Sequence, residues 1–277
     1  VGALHAALLA QDDGSNQKVD EMLTIWENVR DEYVYKGWSL PDVILKAIHD
    51  SNLNQGLFMR SLMDNTPLWD NLITKYIKMP REGVDVGVGV TSLTDGKYRL
   101  IRPSDCAVEA MWQYSVLAST VMPIIWDAQR ELIYRDGTRL RNVVDGGVRH
   151  VSPTKELLEA DCTHAFVINC SSPNEGGVGD PNMDNIMDIA LNTVSVFVNG
   201  NLHRDVEEFK RINRLVKQAA EKGFILYKQD GSPYVTCNGV IVNPVANLNG
   251  SLDFTGARNH INIGRESAIR AFEDWVP

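Results

Sequence analysis

The chain has 277 residues, with 27 Lys and Arg against 36 Asp and Glu, and a formal net charge of −9. At about 150 residues per domain that length fits one large domain or two small ones, while 44% hydrophobic and 23% charged residues exclude disordered, collagen-like and disulfide-scaffold classes. The acidic balance disfavours nucleic acid as a partner, since that partner wants a basic stripe, and no apolar run reaches the roughly 18–20 residues of a membrane-spanning helix.

Residues 1–10 are rich in Ala and Leu and predict a helix, ended by the Gln-Asp-Asp-Gly-Ser loop at 11–15. Met22, Leu23, Ile25, Trp26 and Val29 give residues 19–34 a partly apolar helical face. Ser39 as N-cap and Pro41 in the first turn predict a helix through Ile48. Thr66 and Pro67 repeat that start signal before Leu68, Trp69, Leu72, Ile73 and Tyr76. Their stripe fits core packing, with a lipid-facing lid as the alternative.

From Val84 the period shortens to two through Val86, Val88 and Val90. The Asp95-Gly96 turn and a return strand at 98–102 then predict a hairpin. A helix is expected over 107–117, a short strand at Ile133 and Tyr134, the Asp136-Gly137 turn, and a buried strand at 142–147 that ends in two glycines. Residues 165–168 read as another buried strand and 171–185 as loop. Two helices, at 183–198 and 205–221, are expected to part near Gly200, with Gly223 as the stop signal. Strands at 224–227 and 240–245 and a helix over 265–275 close the chain. Strands interspersed with helices in this order predict an α/β layer fold in one domain spanning 1–277.

Several motifs fail on inspection. Gly87-Val-Gly89 opens like a dinucleotide fingerprint, but Ser92 stands where the third glycine belongs and the stretch lies in a strand pattern. Asp180, Asn182 and Asp184 imitate a calcium loop, yet Asn185 replaces its glycine and Leu191 its final Glu. Cys106, Cys162, Cys170 and Cys237 have neither C-x-x-C nor zinc-ligand spacing, and buried free thiols are expected. Asp145 is more informative, because it closes an apolar strand and is followed by Gly146 and Gly147. Small residues there let backbone or substrate come close, which suits an active-site carboxylate. A plain Asp-Gly-Gly turn is the alternative.

Taken in order, Val1-Gly-Ala-Leu-His-Ala-Ala-Leu-Leu-Ala10, Val88-Gly-Val-Thr-Ser-Leu-Thr-Asp-Gly96, Leu117-Ala-Ser-Thr-Val-Met-Pro123 and Val144-Asp-Gly-Gly-Val-Arg-His-Val-Ser-Pro153 resemble the successive signatures of the patatin-like phospholipases. The later helix pair, the strand at 241–244 and Gly264-Arg-Glu-Ser-Ala268 are similar to that family too, so the resemblance covers most of the chain. It implies a layered fold with a central, mostly parallel sheet flanked by helices. It also implies a lipid acyl hydrolase, of phospholipase A type, in which the serine of G-x-S-x-G and an aspartate form a dyad without histidine, metal or cofactor.

By this resemblance Asp145 matches the dyad aspartate, Gly146 and Gly147 complete its motif, and Val1 and Gly2 match the last two elbow residues, with the Val1 N–H in the oxyanion hole. The nucleophile would immediately precede Val1, and the glycine-rich oxyanion loop and first strand would lie upstream. The 277 residues alone are therefore expected to be inactive. The expected partner is a phospholipid or other acyl lipid, met by a soluble protein with peripheral membrane contact; the compartment, cytoplasmic or other, is not set by the sequence. A regulatory or lipid-binding protein that keeps the fold without catalysis is the alternative. His150 and His5 are expected to serve packing or hydrogen bonding, and residues 53–79, with Leu57, Phe58, Met59, Leu62, Met63 and Trp69, either acyl-chain contact or core.

Overall fold

A computed structural model of the chain describes residues 1–37, 61, 63–170, 186–246, 254, 256–273 and 275. The helix expected from Ser39 to Ile48, residues 57–59 and 62, and the calcium-like loop lie outside the described residues. Two compact units emerge, the first formed by residues 1–149, 181–194 and 251–257, the second by 150–180, 195–250 and 258–277.

The first unit opens with α1 (Gly2–Leu9), α2 (Gln17–Asn28) and α3 (Asp31–Val34). The single helix expected over 19–34 is broken at Val29, which is extended and buried. Burial of this β-branched side chain outweighs one turn of helical hydrogen bonding. Two short strands, β1 (Lys36–Gly37) and β2 (Met63–Asp64), pair antiparallel. They lead to α4 (Thr66–Leu68), a π turn (Trp69–Ile73) and α5 (Thr74–Tyr76), which send Leu68 and Ile73 into the core.

The central sheet of this unit holds β3 (Val88–Ser92), β4 (Tyr98–Ile101), β5 (Gln129–Ile133) and β6 (Arg139–Asp145), in the order β4-β3-β6-β5. Every pairing in it is antiparallel, which corrects the expectation of a mostly parallel sheet. The reason lies in the connections. Tight turns at Asp95-Gly96 and Asp136-Gly137 join β3 to β4 and β5 to β6, and a tight turn can only return the chain antiparallel. Between the hairpins runs α6 (Glu109–Ala118), which packs with α1 against β3. Val143 and Val144, successive residues of β6, are both fully buried, so both sheet faces are covered there. Trp112, Val116, Leu4, Ala7 and Leu8 join them in one hydrophobic core.

The second unit contains α7 (Thr154–Glu159), β7 (His164–Ile168), most of α8 (Ile186–Glu221), β8 (Asn238–Val242) and most of α9 (Ala257–Glu273). Here β7 and β8 are parallel, in register from His164 opposite Asn238 to Ile168 opposite Val242. Val167 packs with Leu202 and Val206, and Phe209 with Ala165 and Leu158. The two helices expected to part near Gly200 are one continuous helix. A helical glycine costs only about 1 kcal/mol relative to alanine, less than the buried face of Leu202, Val206, Phe209 and Val216 supplies. Residues 224–227 form no strand; only Tyr227 bridges to Pro233. The chain is mixed α/β, and no described helix is long and apolar enough to cross a membrane.

Candidate functional site

Asp145 sits at the end of β6, opposite Val90 of β3. Its N–H donates to the Val121 carbonyl at 3.0 Å, and its Oδ1 accepts the Gly147 N–H at 2.7 Å. The carboxyl therefore also caps a short 3-10 turn, Gly146–Val148. Burial raises the Asp145 pKa above the ordinary carboxylate value, opposed by the Gly147 N–H. Such a carboxylate is a better proton acceptor than a solvated one, because burial destabilises its charged form.

Gly146 is fixed by sterics. A Cβ placed on it would lie 2.6 Å from the Gly89 carbonyl carbon and 2.7 Å from the Gly89 oxygen. That oxygen is itself held, accepting the Ser119 hydroxyl at 2.6 Å. The β3 backbone thus presses directly on the Asp-Gly-Gly corner, and Ser119 is a supporting residue that sequence reasoning did not single out. The only signal was its place within the Leu117-to-Pro123 motif. Gly87 and Gly89 instead make room for β4 side chains, since a Cβ at Gly87 would meet Leu100 and one at Gly89 would meet Tyr98.

Val1 and Gly2 begin α1, and the Val1 carbonyl accepts the His5 N–H at 3.2 Å. Val1 is half-exposed, and the space where a Gly2 Cβ would stand is open. His5 accepts a hydrogen bond at Nε2 from the Trp26 indole N–H at 2.6 Å. Its ring is edge-on to that indole. Burial lowers its pKa to about 4. His5 is thus a neutral imidazole with its proton on Nδ1 near pH 7, beside a narrow apolar crevice lined by Leu8, Ile25, Val29 and Leu72 among others.

His150 belongs to the second unit, where its Nδ1 lies 3.4 Å from Asp205 Oδ1. Asp205, on α8, is buried, and its Oδ2 also accepts the N–H groups of Val151 at 2.8 Å and Ser152 at 3.2 Å. This carboxylate organises the 150–152 loop and gives His150 a structural partner. Nothing in the sequence marked Asp205, since an aspartate in a charged helix reads as solvated. Of the cysteines, Cys106 and Cys237 are buried, Cys162 is half-buried and Cys170 exposed, all as free thiols. Burial pushes Cys106 up to about 11.

No protein-family model matches the chain, and no curated protein matches it significantly.

Proposed function

We propose that the intact protein is a lipid acyl hydrolase of phospholipase A type with a layered patatin-like domain, in which Asp145 is the carboxylate of a serine–aspartate dyad and the nucleophilic serine is bonded to Val1. One observation carries the reading most directly: α1, into which Val1 leads, packs against β3, and β3 pairs with β6 so that Val90 stands opposite Asp145, whose carboxyl pKa is raised by burial. On this reading the hydroxyl of a serine bonded to Val1 reaches that carboxylate.

In this mechanism Asp145 takes the serine hydroxyl proton as Oγ attacks the ester carbonyl. The Val1 N–H, at the positive end of α1, donates to the oxyanion. Collapse of the tetrahedral intermediate breaks the ester bond, and the alcohol leaves with the proton from Asp145. Water then attacks the acyl-serine with Asp145 as base, releasing fatty acid. The elevated Asp145 pKa suits both directions of proton transfer, and the Gly146–Gly89 contact keeps the carboxyl in place.

The test uses protein that includes the residue before Val1. Fluorophosphonate should label that residue, and labelling should require Asp145. A label-free protein that still binds lipid would favour the regulatory reading instead.

A further inference from the structure

The end of α8 and the segment after it form a surface that the hydrolase reading does not use. The helix closes with paired hydrogen bonds from Gly223 N–H to the Ala220 carbonyl and from Phe224 N–H to the Ala219 carbonyl. Gly223 sits at φ +76°, the left-handed conformation this cap requires. The chain then turns out through Phe224, Ile225, Leu226 and Tyr227, which are 67%, 60%, 38% and 61% exposed. Four consecutive large apolar side chains in water are unusual for a surface that meets only solvent.

The segment is held in place. The Tyr234 N–H donates to the Leu226 carbonyl at 2.8 Å, Tyr227 bridges to Pro233, and the Lys228 N–H donates to the Ser232 carbonyl at 2.7 Å. The Lys228 side chain points inward, its Nζ 3.0 Å from the Glu159 carbonyl and 2.6 Å from Asp161 Oδ1. Anchored by that lysine, the apolar residues project from a fixed base.

The last turns of the helix and the segment after it carry the opposite sign to the rest of the chain. Residues 210–228 hold six Lys and Arg against a single acidic residue, Glu221, in a protein of net charge −9. Lys210 and Arg211 pair with Glu207 and Glu208, one turn earlier. Arg214, Lys217 and Lys222 are exposed; Arg214 acts on Glu207 through its charge, and Lys217 and Lys222 make no ion pair among the described residues. Exposed aromatic and aliphatic side chains beside exposed cations are complementary to a bilayer, with apolar groups entering the acyl boundary and cations meeting anionic headgroups.

We infer that Phe224–Tyr227, with Arg214, Lys217 and Lys222, is a docking surface for a bilayer containing anionic phospholipid. The acidic remainder of the chain is repelled by the same bilayer, so docking is oriented and sensitive to salt. The inference goes beyond the hydrolase reading and does not rest on it: a chain that binds vesicles but cleaves nothing loses only that reading.

The experiment is co-sedimentation of the 277-residue chain with vesicles of phosphatidylcholine alone or mixed with phosphatidylserine. Binding is expected only with phosphatidylserine, and it should fall as salt rises. Lys217→Ala and Lys222→Ala should each weaken it about fivefold, and the double variant Phe224→Ser/Ile225→Ser by at least about tenfold. These side chains are exposed, so circular dichroism should show an unchanged fold. Tyr227→Trp should shift its emission to shorter wavelength on binding and be quenched by brominated acyl chains. Absence of binding to phosphatidylserine vesicles, or equal binding by the Phe224→Ser/Ile225→Ser variant, would overturn the inference. So would a concentration-dependent oligomer that this variant dissolves, which would assign the surface to a protein contact.

Discussion

Gly146 and Gly89 meet backbone to backbone, and a Cβ on Gly146 would stand 2.6 Å from the Gly89 carbonyl carbon. The obstacle is main chain held by β3 pairing and by the Ser119 hydroxyl, so it cannot yield as a flexible side chain would. Gly146→Ala should therefore destabilise the protein by about 2–3 kcal/mol through overpacking. Gly37→Ala, at an exposed position with open space, should change stability by less than about 0.5 kcal/mol. Urea unfolding of both variants checks this pair; equal midpoints would contradict the close approach.

His5 makes stability depend on pH with a definite sign. Its pKa is depressed in the folded chain, from 6.5 to about 4, so between those values the unfolded chain binds the proton more readily. Stability should be full above pH 6.5 and fall as the pH drops towards 4, by at most about 3 kcal/mol. Urea midpoints at pH 7 and pH 5, in wild type and His5→Phe, test this. The variant should lose that part of the pH dependence, and an unchanged difference would remove His5 as its source.

Asp205 closes the 150–152 loop by accepting two backbone N–H groups and facing His150. Truncation in Asp205→Ala strands those donors in a buried place and should cost about 2–4 kcal/mol. Asp205→Asn keeps one acceptor oxygen and should cost less. Chemical denaturation ranks the two, and a neutral Asp205→Ala would show the loop to be held by other means.

Gly200 lies inside α8 with open space where its Cβ would be. Gly200→Ala should stabilise by about 0.5–1 kcal/mol, because alanine costs less to order in a helix. A destabilising Gly200→Ala would point to a break there.

These sites show where sequence reasoning reaches and where it stops. The hairpins were legible because Asp95-Gly96 and Asp136-Gly137 carry turn chemistry within a few residues. The placing of β6 between β3 and β5 was not, since strand order is decided by burial of Val143 and Val144 on both faces, a non-local quantity. Gly200 and Gly223 look alike in sequence. One lies within a helix held by its buried face and the other caps it, and the difference lies in Phe224 N–H reaching back to Ala219. In the candidate site, Asp145 and Gly146 were legible as a strand-ending motif. Ser119 and Asp205 were not, because each acts on backbone groups distant in sequence.

Asp145 is proposed as the base for a serine bonded to Val1. The most direct measurement is hydrolysis of phosphatidylcholine by protein that includes that preceding residue, with the fluorophosphonate adduct mapped by mass spectrometry, in wild type and Asp145→Asn. The expected result is one labelled serine bonded to Val1 and a loss of about a thousandfold in kcat in Asp145→Asn. Retained hydrolysis in Asp145→Asn, or a label on any other residue, would contradict it.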